Sequence, residues 1–435
     1  MKRFSTFFLV AAILLALGAS GTAGAADKTY LILTKGQGQG STAIDDLLAA
    51  AGGSAVTRLD AIGVVVASSA NPGFLAALAK DPRVAQAAED VEVQWTPGEQ
   101  AAEATALDPD AQGVNSEPYN AYLWNLRQIH ADETAALGYT GQGVRVAVLD
   151  SGIWSGHPDI APNLEVALSK SFVPGEPGID PVSLGFSHGT HVAGIIAAPV
   201  NGMGIQGVAP EAKIVAVKVL SSTTGSGAFS WVIAGIEYAV SIDAAVINMS
   251  LGATFDRINA GGGGSGPLLA ALNRAVNHAT AAGVFVVSAA GNEGVDLNSR
   301  LWSIPAQSGN GVAVAATGPC NLADFDRAAS YTNYGQSVVN VAAPGGDFAC
   351  TGYPFDMVLS PAGKSATAWQ YFFAAGTSMA APHVSGLAAL VIGKHGRLDP
   401  SKIRALIEKS ADDILKPGTD PLGKGRINAL KALED

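Results

Sequence analysis

Hydrophobic positions along the chain fall into two regimes. Between Lys28 and Thr96 they come in short bursts whose period switches between that of a strand and that of a helix. TYLILT reads as a strand, IDDLLAAA as a helix, AVTRL and GVVVAS as a strand pair, FLAALAK as a second helix and VAQAAEDVEVQW as a closing extended segment. That order predicts a small α+β domain of ferredoxin-like build. From residue 97 to about 118 the periodicity is lost and Pro, Gly, Asp, Glu and Ala accumulate, as in a surface linker between domains. From Gly143 onward, apolar runs (VRVAVLD, KIVAVKVL, AAVINMSL, VFVVSAAG, VAVAAT) alternate with helical patterns such as SWVIAGIEYAV and LLAALNRAVNHATAAG. Strands that are apolar on both faces and alternate with helices predict an α/β domain, a parallel sheet with helices on both faces. In such sheets reactive groups gather beyond the carboxyl ends of the strands.

The first residues change the picture of where the chain works. Lys2 and Arg3 precede an apolar stretch from Phe7 to Leu17 and the small-residue site Ala23-Gly24-Ala25. This is the build of a secretory signal peptide, residues 1–25, cleaved after Ala25. The apolar run is shorter than the roughly 20 residues that span a bilayer, so no stable membrane anchor is expected after cleavage. The protein is expected to be secreted, to the extracellular space or a periplasm. A formal charge of −11 argues against nucleic acid as a partner, and 48% hydrophobic residues suffice for a packed core. The two cysteines, Cys320 and Cys350, form either one disulfide or two free buried thiols, because spacing alone fixes no distance.

Three segments carry candidate chemistry. VAVLDSGI puts Asp150 at the end of a buried strand, where a carboxylate is costly unless hydrogen-bonded; alone it would read as a turn former. FSHGTHVAGIIAA opens a helix with His188 and places His191 one turn on; HGTH lacks the Glu and the spacing of a zinc-protease helix, so zinc is not expected. AAGTSMAAPHVSGLAALV places Ser378 ahead of a helix of small residues, where a lone Ser would read as an N-cap.

Taken together, VAVLDSGI, SHGTHVAG and GTSMAAPHVSG resemble the three signature blocks of the subtilisin-like serine protease (subtilase) family, in the Asp, His, Ser order of that family. The resemblance covers roughly Tyr122 to Ala432. It implies a catalytic domain over 119–435 with a subtilisin-like parallel sheet, and a Ser378–His188–Asp150 triad that hydrolyses peptide bonds through an acyl-enzyme. SAAGNEG resembles the oxyanion segment, which implies that Asn292 and the Ser378 N–H hold the oxyanion. By resemblance, Gly225, Ser226 and Gly227 pair with extended protein or peptide substrates. Ser250-Leu251-Gly252 and Ala289-Ala290-Gly291 form the walls of the pocket for the residue before the scissile bond. Those small walls imply broad specificity with an apolar or aromatic preference, while Glu293 at the rim could accept a basic residue. APVNGMGIQGVAP resembles a calcium loop with Pro199, Asn201, Met203 and Ile205 as ligands, joined by Asp159 and Asn120.

The segment 28–96 resembles the family's inhibitory prodomain, with EDVEVQWT lying along the Gly225–Gly227 edge. The linker 97–118 is expected to contain or adjoin the maturation site of a self-processing precursor. TFDRINAGGGGSGP after Gly252 and the stretch from Gly352 to Gly376 are longer than in compact members and could border the cleft. The competing readings are an inactive binding protein on the same fold and an esterase; the esterase reading lacks the G-x-S-x-G elbow.

Overall fold

The computed structural model describes residues 26–36, 44–96, 100–105, 107–108, 117–256, 265–414 and 421–434. The expected signal peptide and the glycine run at 261–264 lie outside them.

Seven strands form the central parallel sheet. From one edge to the other they are Val341–Pro344, Val312–Thr317, Phe285–Ala289, Val246–Met249, Arg145–Asp150, Lys213–Lys218 and Lys170–Ser171. All five strands expected in this domain are present, and side-chain alternation along them divides the core in two. Val146, Val148, Ile214, Ala216, Val287 and Val314 face the helices His188–Ala197 and Thr377–His395. Ala147, Leu149, Val215, Val217, Ile247 and Val286 face the helices Phe229–Ser241 and Gly266–Ala281 on the other side. Both faces are therefore covered, which explains why the strands read as unbroken apolar runs.

The N-terminal region forms its own four-stranded antiparallel sheet in the order Gly53–Leu59, Val64–Ser69, Lys28–Thr34, Val84–Glu89, with helices Asp45–Ala50 and Phe74–Leu78. Tyr30, Ile32, Val65 and Ala67 point to those two helices. Leu31, Leu33, Val64 and Val66 point the other way, into the same core as Phe229–Ser241 and Gly266–Ala281. Arg274 fastens this contact by donating to the carbonyls of Thr34, Ile62 and Gly63. The small sheet thus uses the outer surface of two catalytic-domain helices as half of its own core.

Two sequence expectations change in detail. The closing extended segment is split, because after Glu89 the chain leaves the small sheet and Glu92–Gln94 pairs antiparallel with Ser226–Ala228. The linker is not all irregular either: Gln100–Glu103 joins a four-stranded sheet beside Trp369–Ala375, Val358–Lys364 and Gly185–Phe186. Only Ala102 and Ala104 turn toward the core there, and two alanines give too weak an alternation to mark a strand. Cys320 and Cys350 are disulfide-bonded. The strand Ala253–Asp256 after Gly252 pairs with Leu301–Ile304; residues 257–264 of the long insertion lie outside the described residues.

At the carboxyl end of its strand, Lys218 is fully buried; its ammonium lies 2.7 Å from Glu176 and donates to the Asp180 carbonyl. Burial pushes the Glu176 carboxyl up, but hydrogen bonds from Lys218, Ser222 and Ser221 outweigh it and hold the group down at about 2. The depressed value means stability that is complete above the unfolded pKa near 4.3 and lost as pH falls toward 2. Replacing Lys218 by Met should cost about 3 kcal/mol at neutral pH. It should also flatten the stability change between pH 4.5 and 2, which urea unfolding at several pH values would measure.

Candidate active site

Asp150 ends its strand as a buried carboxylate. Its Oδ1 accepts the Ser151 N–H at 2.6 Å, the Ser151 hydroxyl at 3.0 Å and His188 Nδ1 at 2.8 Å. An ionised carboxylate only accepts, so the proton lies on His188 Nδ1 and the lone pair on Nε2. Ser187 caps the helix that His188 opens: its hydroxyl accepts the Thr190 N–H, and Thr190 in turn holds Trp154 N at 3.0 Å. His188 is therefore gripped by its helix start on one side and by Asp150 on the other. His191 faces elsewhere: its Nε2 reaches the carbonyls of Val358 and Phe372, and burial lowers its pKa to about 3. It ties the helix to a hairpin as a neutral donor.

Ser378 is the second residue of the helix Thr377–His395, which packs against His188–Ala197. Pro382 lies inside that helix and has no N–H to offer the Ser378 carbonyl four residues back. Ser250 fills the gap by donating its hydroxyl to Ser378 O at 2.8 Å, and the Ser378 hydroxyl donates back to Ser250 O at 3.3 Å. Behind this pair, Asn248 Nδ2 donates to Ser250 Oγ at 2.9 Å and Ser385 donates to Asn248 Oδ1 at 2.8 Å. A buried polar chain thus runs from the sheet to the start of the helix. Asn292 is oriented similarly: its Oδ1 accepts both the N–H and the hydroxyl of Thr377, which fixes the direction of its amide. The Ser378 N–H, in the first turn, is among the donors a helix leaves without an internal partner.

Around Ser378 the pocket is lined by Leu251, Gly252, Ala289, Gly291, Asn292, Glu293 and Thr377, together with Trp95 and Thr96 from the N-terminal region. Of the two expected walls, Leu251, Gly252, Ala289 and Gly291 reach the pocket, Ser250 supports it from beneath, and Ala290 is buried in a separate apolar cluster. The Glu293 carboxylate accepts from Asn333 Nδ2 at 2.5 Å. Along the edge, Ser226 faces Gln94, Gly227 faces Val93 and Ala228 faces Glu92. Trp95 N donates to Gly225 O at 3.2 Å, and Gly252 N donates to Trp95 O at 2.7 Å. The Trp95 indole is fully buried against Phe229 and donates to Gly227 O at 2.8 Å. An extended chain already occupies the cleft.

At the loop 199–205, Asp159 Oδ2 accepts the Ile205 N–H at 2.9 Å and the Tyr371 hydroxyl at 3.0 Å. Its buried Oδ1 has no hydrogen-bond partner. Burial, reinforced by Glu117, pushes this carboxyl up to about 7. Glu117 and Tyr371 were missed in the sequence. Glu117 is buried and accepts the N–H groups of Gly202 and Met203 in the loop. Asn120 is buried in the short turn that follows. The Asn201 amide spans from Pro158 O to Met203 N, Met203 is exposed, and Pro199 is buried.

The fold and this cleft define a class, α/β proteins with a parallel sheet covered on both faces and an extended segment bound along a strand edge beside Ser378, and sequence comparison gives the family. Residues 141–427 match the profile of the subtilase family. The chain is 38% identical to subtilisin amylosacchariticus from Bacillus subtilis subsp. amylosacchariticus over 348 residues, which is 77% of this chain and 81% of that one. It is 40% identical to a subtilisin from Bacillus pumilus over 311 residues, 72% of this chain and 98% of the other. Among solved structures, the epidermin leader peptide processing serine protease from Staphylococcus aureus superposes with a TM-score of 0.75. That match is at 22% identity and covers 94% of this chain and 98% of that one, a likeness of fold. The chain belongs to the subtilase family and is a subtilisin-like serine endopeptidase.

The Ser250 contact has a direct consequence. Ser250→Ala would strand the Ser378 carbonyl and one proton of the Asn248 amide in the interior, and should lower stability by about 2 kcal/mol. Chemical unfolding of the variant in its precursor form measures this.

Proposed function

We propose that the protein is a secreted endopeptidase of broad specificity, made as a self-processing precursor, in which Ser378 attacks the peptide carbonyl. The observation that carries the proposal is the occupied cleft: the chain's own Glu92–Thr96 lies as an extended strand on the Ser226–Ala228 edge and ends beside Ser378, Asn292 and Thr377. In this reading His188 takes the Ser378 proton through Nε2 and returns it to the leaving amine. Asp150 holds the imidazole in its Nδ1–H tautomer and stabilises the imidazolium. The Asn292 amide and the Ser378 N–H stabilise the oxyanion, and Thr377 positions Asn292. Water then hydrolyses the ester. Leu251, Gly252, Ala289 and Gly291 line the pocket with apolar or small groups, which favours an apolar side chain before the scissile bond.

Residues 28–96 act as the inhibitory prodomain. They share an apolar core with two catalytic-domain helices, and their last strand blocks the cleft as a product would. Trp95 is the anchor, since an aromatic side chain that is fully buried and also hydrogen-bonded is the typical hot spot of an interface. Residues 1–25 direct export. Among the described residues no helix is long and apolar enough to cross a membrane.

Calcium fits the loop at 199–205. A buried carboxylate with one partnerless oxygen beside a second carboxylate favours a hard cation with oxygen ligands. Asp159 and Glu117 would hold the ion with the Asn201 amide oxygen and loop carbonyls, and the ion would brace the loop without entering the chemistry.

Two measurements test these readings. Ser378→Ala should reduce casein hydrolysis to background and leave the full precursor unprocessed, with a melting temperature close to that of the parent precursor; normal maturation of the purified variant would contradict self-processing. Chelation with EDTA should lower the melting temperature of the mature enzyme by roughly 5 °C or more, and added calcium should restore it. Asp159→Asn should be insensitive to both additions, and an unchanged melting temperature after exhaustive chelation would remove the calcium assignment.

A further inference from the structure

A second segment after Thr96 lies beside Ser378. Gln100–Glu103 pairs antiparallel with the strand that leads directly into Ser378, with Gln100 opposite Ala375, Ala101 opposite Ala374, Ala102 opposite Phe373 and Glu103 opposite Phe372. Ala104 N continues the ladder to Tyr371 O at 2.9 Å. Gln370 Nε2 donates to Glu103 at 2.5 Å, and Asp108 N donates to the Tyr122 hydroxyl at 2.9 Å. Ala102, Ala104 and Leu107 are half-buried against the core, while Gln100, Ala101, Glu103 and Thr105 are exposed, the alternation of a docked edge strand. Glu92–Thr96 therefore occupies the side of the cleft that holds the acyl half of a substrate. Residues 100–105 occupy the side that holds the leaving half.

We infer that residues 100–105 with 107–108 are a second inhibitory element, separate from 28–96, which closes the leaving-group side of the cleft by pairing with the edge Tyr371–Ala375. The inference rests on the reading of 28–96 as an inhibitory domain. Its consequence is that one cut between Thr96 and Gln100 does not free the enzyme. In that cut Ser378 Oγ bonds to the carbonyl carbon and the C–N bond breaks. The proton held by His188 passes to the leaving nitrogen, which becomes the α-amine of the segment carrying the second strand, and water then hydrolyses the ester. That segment cannot diffuse away. Glu117 accepts the N–H groups of Gly202 and Met203 at 2.9 and 2.8 Å, and Tyr119 N donates to Gly204 O at 2.8 Å. These bonds anchor the chain to the catalytic domain a few residues downstream. A strand on so short a tether has an effective concentration on the order of 1 mM, so a dissociation constant of about 0.1 mM leaves the site about nine-tenths covered. A second cut between Asp108 and Glu117 is then needed to expose the Tyr371–Ala375 edge.

The test follows maturation of the full chain in time, with N-terminal sequencing of each catalytic-domain species. Each species is assayed for kcat/KM on a peptide that extends at least four residues beyond the cut. A species beginning between residues 97 and 100 should come first and be about tenfold less active than the later species beginning between 109 and 117. In the double variant Ala102→Asp, Ala104→Pro, the first species should already have the activity of the second, because a charge faces the core and the ladder loses the Ala104 donor. Equal activities of the two wild-type species would overturn the inference, as would a first species that never forms or is unaffected by the double variant. Purified residues 28–96 added in trans separate the two readings. Failure to inhibit even the fully trimmed enzyme sinks the prodomain reading. Inhibition of that enzyme, with a one-cut species already fully active, sinks only the second element.

Discussion

The constraint on which the rest of this structure depends is that the sheet edges beside Ser378 must find partners for their backbone N–H and C=O groups. An unpaired edge offers N–H and C=O groups to any extended chain. Here the edge at Ser226–Ala228 is filled by Glu92–Gln94, and the edge at Phe372–Ala375 by Gln100–Glu103. Both fillers come from one continuous stretch of the same molecule. The apolar surface of Phe229–Ser241 and Gly266–Ala281 is closed in the same way, by the Leu31, Leu33, Val64 and Val66 face of the small sheet. The N-terminal region thus covers two kinds of surface on the catalytic domain, an apolar face and a hydrogen-bonding edge.

The cleft is held in shape by a chain of buried polar groups that bond to one another. The proline within the Ser378 helix removes one backbone donor, and the Ser250 hydroxyl, backed by Asn248 and Ser385, supplies another. The arrangement fixes the helix start against the strand that carries Ser250. Thr377 does the same for Asn292. Tyr371 links two further regions. Its carbonyl pairs with Ala104, its hydroxyl reaches Asp159 at the 199–205 loop, and its ring meets Tyr119 edge-on. Whatever orders that loop also steadies the edge strand.

Much of this was legible in the sequence, for physical reasons that differ from residue to residue. The parallel strands were readable because burial on both faces leaves runs such as VRVAVLD with no polar interruption. Asp150 and His188 were readable because each sits at a junction between strand, turn and helix. The Gln100–Glu103 strand was hidden, since its stability comes from a partner far along the chain and its inward residues are only alanines. Glu117 was hidden for a related reason: its contacts are with backbone N–H groups of a loop distant in sequence. The single disulfide was one of two options, and only the fold brings Cys320 and Cys350 to a Cα separation of 5.4 Å.

The central claim is that the precursor is closed by its own chain along both edges of the cleft at once. Hydrogen exchange on the Ser378→Ala precursor, compared with the mature enzyme separated from residues 28–108, tests it most directly. The account predicts slow exchange in the precursor at the paired amides of both Ser226–Ala228 and Tyr371–Ala375, and fast exchange at both in the mature enzyme. Fast exchange at either edge in the precursor would contradict it.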